Sequence, residues 1–180
     1  MSRVGKMPIP VPDGVDVKIS KGIVEVKGPN GILSRPIVGN IEIKKEKGYL
    51  FVMALDESGE TGAYHGLVRS LVNNMVVGVT HGFKKTLQIV GVGYRAEIKD
   101  NHLILIVGHS HPVEFALPKG ILAKVSKGII DIEGINKELV GDVAARIRKI
   151  RPPDAYKGKG IRYLREQVRL KPGKSAAAKA

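Results

Sequence analysis

The sequence predicts an α+β fold in two similar small domains, each an antiparallel-rich sheet packed with one main helix. Three observations lead there. Short apolar-alternating runs are separated by Gly-bearing turns, each half holds one stretch of helical apolar spacing, and one hairpin-like segment recurs. The 180 residues fit either one large domain or two small ones, so the recurrence decides the number.

In chain order, residues 15–30 come first and align with residues 121–136 at a shift of 106. Lys18, Ser20, Lys21, Gly22, Ile23, Gly28 and Asn30 match Lys124, Ser126, Lys127, Gly128, Ile129, Gly134 and Asn136. Both copies read as hairpins about a Ser-Lys-Gly turn. A duplicated module is the simplest account; chance likeness between two hairpins of the same turn chemistry is the alternative. Strands are expected at Ile41–Lys45 and Tyr49–Ala54, flanking a Lys-rich tip whose Lys44, Lys45 and Lys47 read as solvated. Leu67, Val68, Leu71, Val72, Met75, Val76 and Val79 follow i, i+3, i+4 spacing and predict a helix that Gly82 stops. Further strands are expected at Leu87–Ile98 and Leu103–Val107, around Asp100-Asn101. Asn136 suits an N-cap; Leu139, Val140, Val143, Ala144, Ile147 and Ile150 form one helical face, and Pro152-Pro153 ends it. The expected domains are therefore 1–82 and 83–172, followed by a basic tail, 173–180, too polar and simple to form a core and expected to stay disordered until bound.

Composition narrows the function. There is no cysteine, which removes disulfides, thiolate nucleophiles and cysteine-based zinc sites. No run approaches the ~20 apolar residues of a membrane span, and the opening Met1–Pro8 lacks a signal-peptide core, so a cytoplasmic location is expected. The net charge is +13, and it is unevenly placed: residues 1–143 carry 18 basic and 15 acidic side chains, residues 144–180 carry 12 and 2. A dense cationic segment displaces counterions from a polyanion, so nucleic acid is the expected partner. A membrane-surface role would need an unbroken basic amphipathic helix, and Pro152, Pro153, Gly158 and Gly160 interrupt this one.

Catalytic and metal readings find little support. His65, His81 and His102 are scattered, and His109 and His111 alternate without a third ligand at metal-site spacing, so they read as structural or surface residues. Gly91-Val92-Gly93-Tyr94-Arg95-Ala96 echoes a dinucleotide loop but falls inside an expected strand, where glycines mark a bulge or a close backbone approach. What remains is Arg146–Arg165, which interleaves cations with two tyrosines, two glycines and a double proline. Lysine and arginine reach phosphates, glycine admits a sugar-phosphate strand close to the backbone, and tyrosine stacks on an unpaired base. Two readings of Tyr156 stay open here, base stacking and plugging the domain's own core.

Within that stretch, Pro153-Asp154-Ala155-Tyr156-Lys157-Gly158-Lys159-Gly160-Ile161 resembles the signature of bacterial-type large-subunit ribosomal protein six. Val26–Gly31, His65-Gly66-Leu67, Gly91–Ala96, Ser110–Val113 and Val168–Lys174 resemble further segments of that family in family order. The resemblance implies two related α+β domains, no enzymatic activity and no cofactor. It implies binding of large-subunit (23S-type) ribosomal RNA near the stalk base and the sarcin-ricin loop, beside neighbouring large-subunit proteins and near docking translation factors. The candidate RNA-binding residues are Arg148, Lys149, Arg151, Tyr156, Lys157, Gly158, Lys159, Gly160, Arg162, Tyr163, Arg165, Lys171 and Lys174.

Overall fold

The computed structural model describes residues 2–20, 22–56 and 58–173. Lys174 and the tail beyond it lie outside the described residues. The chain forms two compact units, Met1–Phe83 with Ile135–Lys137, and Lys84–Gly134 with Glu138–Ala180.

In the first unit, β1 (Ile9–Pro10), β2 (Asp16–Ser20), β3 (Ile23–Gly28), β4 (Gly31–Pro36), β5 (Ile41–Glu46) and β6 (Tyr49–Ala54) precede α1 (Gly59–Thr80). They make two sheets, ordered β1-β6-β5 and β2-β3-β4. Strand alternation sends Val24 and Val26, Ile41 and Ile43, and Leu50 and Val52 inward, where they join Val68, Val72, Met75, Val76 and Val79 of α1 in one core. The helix begins two turns before its apolar stripe. Ser58 caps it, its Oγ accepting from Thr61 N at 3.2 Å. Asp56, hydrogen-bonded to Thr61, Asn40 and Ser58, is held at about 2, below the usual carboxylate range. His65 lies inside this unit, its Nε2 2.9 Å from the Val52 carbonyl.

In the second unit, β7 (Phe83–Val90), β8 (Arg95–Lys99), β9 (His102–Ile106), β10 (Val113–Ala116), β11 (Ile121–Ser126) and β12 (Ile129–Gly134) precede α2 (Lys137–Ile150) and β13 (Gly160–Tyr163). The sheets run β10-β9-β8 and β11-β12-β7-β13. Leu87, Leu103, Leu105, Ile130, Ile132 and Ile161 are buried from the sheets, and Val140, Val143, Ala144 and Ile147 from α2. The expected continuous strand Leu87–Ile98 is instead two. β7 ends at Val90 and the chain turns through Gly91 and Gly93, with φ of +153° and +78°, before β8 starts in the other sheet.

The two units share one plan: a single strand, a three-stranded meander, a hairpin and a helix. The order β1-β6-β5 answers to β7-β12-β11, and β2-β3-β4 to β8-β9-β10, with β13 added beside β7. Two similar modules are thus present, but the hairpin alignment at a shift of 106 is a misalignment. It matches β2 and β3 to β11 and β12, whose counterparts in the plan are β5 and β6, at a shift of 80. These share both register, Ile41 opposite Ala54 and Ile121 opposite Gly134, and turn, Lys47-Gly48 at φ +46° and +81°, Lys127-Gly128 at +47° and +79°. Turns of this type I′ kind need positive φ at both central positions, so similar turn residues recur wherever such hairpins occur.

Candidate nucleic-acid interface

The basic segment is built on the end of α2. Pro152 follows Arg151 and cannot donate the next helical hydrogen bond, and a residue before proline is pushed out of the helical region. The chain then closes a turn on itself. Asp154 N donates to Lys159 O at 2.9 Å and Gly158 N to Asp154 O at 3.0 Å. Asp154 Oδ2 accepts from Lys157 N at 2.8 Å and Tyr156 N at 3.2 Å. The Lys157 amide, with that of Tyr156, holds the Asp154 carboxyl below its usual range, so this acid is committed to the turn.

Two glycines make the turn possible. Gly158 takes φ +67°. Gly160 takes +149°, and a Cβ there would lie 2.6 Å from the Pro152 carbonyl oxygen. Both are buried in the turn, where they shape the loop. From Gly160 the chain is strand, not loop: β13 pairs with β7, Ile161 opposite Ile89, and Ile161 N donates to Arg151 O at 2.7 Å. Lys171 N reaches back to Ala155 O at 2.8 Å, which brings the 169–171 stretch beside the turn.

The candidate side chains divide into two groups. Lys149, Tyr156, Lys157, Lys159, Arg165 and Lys171 are exposed. Tyr156 is 60% exposed, which removes the core-plug reading. Lys157, Lys159 and Arg165 form no ion pair among the described residues. The other group is tied into the protein. Arg148 Nε donates to Glu166 Oε2 at 2.8 Å and its Nη2 to Oε1, a two-pronged pair whose Glu166 Oε2 also accepts from Tyr163 N at 3.0 Å. Glu166 is accordingly held below its usual pKa by Arg148, and Arg148 above its own by Glu166. The Arg148 guanidinium lies 5.9 Å from the half-buried Tyr163 ring. Arg162 Nη2 donates to Gln88 at 3.3 Å while its Nε is buried without a partner. Arg151 is half-buried. Arg169, absent from the sequence-derived set, is exposed next to Lys171.

Among the described residues no cluster of three His, Asp or Glu side chains is placed to hold a metal. No helix among them is long and apolar enough to cross a membrane.

The family model described as Ribosomal protein L6 matches in two stretches, residues 11–82 and 90–164. The chain belongs to the ribosomal protein L6 family. One matched stretch falls in each of the two topologically equivalent units. Proteins named large ribosomal subunit protein uL6 are similar along the whole chain. That of Desulfovibrio desulfuricans is 51% identical over 179 residues, covering 99% of this chain and 100% of the relative. That of a Synechococcus species is 53% identical over 180 residues, covering 99% of each, and that of Protochlamydia amoebophila is 48% identical over 180 residues. Membership of the L6 family makes the chain a ribosomal, RNA-binding protein and not an enzyme.

Proposed function

We propose that this L6-family chain is a structural constituent of the large ribosomal subunit that grips 23S-type ribosomal RNA near the stalk base and the sarcin-ricin loop. Neighbouring large-subunit proteins and passing translation factors would be its protein contacts, and the cytoplasmic ribosome its location. The grip is assigned to the second unit, within the proposed domain 83–172, with domain 1–82 carrying little of it and the basic tail 173–180 adding to it. The observation that carries this is the pinned turn at Asp154–Lys159: it holds Tyr156, Lys157 and Lys159 outward, with Arg165 and Lys171 nearby, and its one carboxylate is occupied by the turn's own amides. A fixed set of exposed cations is what phosphates select, and a fixed exposed tyrosine offers a face to a splayed base or ribose.

The test is a photo-crosslinker placed at position 156 in purified large subunits. Crosslinks to RNA of the stalk base or sarcin-ricin region are expected. Crosslinks confined to other RNA regions, or to protein alone, would remove the proposed location.

A further inference from the structure

The second strand of the first unit's hairpin turns an apolar stripe outward. Leu50 and Val52 of β6 point into the core, so Tyr49, Phe51 and Met53 lie on the other face, and Leu55 continues their row; all four are exposed. Their cross-strand partners on β5 are Glu46, Lys44 and Glu42. Large apolar side chains gathered on one face mark surface that a partner would bury.

The fold itself does not require this stripe. At a shift of 80, Phe51 and Met53 correspond to Asp131 and Glu133 of β12, and Lys44 to Lys124 of β11. There the face is satisfied from within. Lys84 Nζ lies 2.9 Å from Asp131 and 3.1 Å from Glu133, Lys124 lies 3.6 Å from Glu133, and Thr86 donates to Asp131 at 2.6 Å. The same surface of the same plan is closed by ion pairs in one unit and left apolar in the other.

Beside the stripe is a hollow of about 400 Å³, lined by Lys6, Glu46, Phe51, Met53 and the buried His65. The chain around Lys6 is held in place there. Arg69 donates to the Met7 and Pro8 carbonyls, each at 3.2 Å, and Gly5 packs on His65 so closely that a Cβ would lie 2.5 Å from the ring. Lys44 lies 3.6 Å from Glu42, but Lys6 and Glu46 form no ion pair among the described residues. The hollow thus presents one unmatched ammonium and one unmatched carboxylate around aromatic and thioether surface. A polyanion answers Lys6 but is repelled by Glu46. A polypeptide supplies an apolar side chain and both charges.

We propose that this face of β5 and β6 docks another protein of the large subunit, through a segment that seats a large apolar side chain in the hollow, with a cation against Glu46 and a carboxylate against Lys6. Interfaces concentrate their affinity where such anchors are buried within a polar surround. The inference rests on the reading of the chain as a large-subunit constituent, and not on the cationic turn.

The test places a photo-crosslinker at Met53 of the full chain in purified large subunits, in parallel with the probe at position 156. Crosslinks from position 53 to one large-subunit protein are expected, at a peptide that carries both a large apolar residue and Lys or Arg. Glu46→Lys reverses an exposed charge, and is expected to lower that crosslink yield about tenfold with an unchanged melting temperature. Crosslinks to RNA or to a second copy of the chain, no crosslink at all, or a yield that Glu46→Lys leaves unchanged would overturn the docking face. The two readings fail separately. Position 156 reports RNA whether or not position 53 finds a protein, whereas a chain absent from the subunits removes the constituent reading and the docking face together.

Discussion

At the scale of single residues, similar side chains in the basic segment do different work, and burial separates them. Tyr156 and Tyr163 look alike in sequence, yet the first is 60% exposed and the second is half-buried near Arg148. Tyr156→Ala should therefore weaken RNA binding by about 1–3 kcal/mol through the loss of stacking. Its melting temperature should match the parent, and a lowered one would show that the ring supports the fold after all. Gly160 makes the opposite case. Alanine there takes on both a φ that side chains rarely adopt and a 2.6 Å encounter with the Pro152 oxygen. Gly160→Ala should cost about 1–3 kcal/mol of stability in denaturant unfolding, and parent-like unfolding would refute the steric argument. Neither role could be read from the sequence, since exposure depends on how the turn closes. Cation counting cannot sort the segment: Arg148 and Arg162 are as basic as Arg165, but Glu166 and Gln88 engage them.

At the scale of elements, the α+β plan was legible because it rests on local periodicity. Strand alternation at Ile41–Ala54 and the stripe from Val68 to Val79 each show a buried face directly. The start of α1 was not legible, because Gly59, Gly62 and the polar residues around them carry no stripe and the helix there depends on the Ser58 cap. The Gly91–Tyr94 break was missed because an apolar run continues across a change of sheet. The link between α2 and the segment after β13 was also invisible, since Arg148 and Glu166 are 18 residues apart and no pattern joins them. That link has a testable pH signature. Glu166 is depressed in the folded protein, so the stability it contributes is present above its unfolded pKa of ~4.3 and is lost as pH falls through the lower folded value. Glu166→Gln should be less stable than the parent near neutral pH by about 1.5–3 kcal/mol, the scale of hydrogen bonds to a charged group. The gap between the two melting curves should begin to narrow as pH falls below ~4.3 and close below the lowered folded value. A gap that stays constant into acid would mean that the pair contributes by shape and not by charge.

At the scale of the whole molecule, the net charge of +13 suits a polyanion partner, and the proposed direction of binding follows from where that charge sits. Lysines of the first unit are partly compensated: Lys44 lies 3.6 Å from Glu42 and Lys45 3.8 Å from Asp16. Lys157, Lys159 and Arg165 stand without such partners among the described residues. Two triple variants isolate placement from total charge. Lys44, Lys45 and Lys47→Gln, and Lys157, Lys159 and Arg165→Gln, each remove three positive charges from the full chain. Every phosphate left without its cation should flatten the plot of log K against log salt by ~0.7 on single-stranded RNA or ~0.9 on a duplex. The second variant should therefore flatten it by about 2–3, and the first by close to nothing. Both should keep the fold, because exposed charges seldom contribute more than ~1 kcal/mol. If the two slopes change equally, binding follows total charge and the pinned turn is no special site. If only the first changes, the phosphate-binding surface belongs to the first unit and the arrangement proposed for the second is wrong.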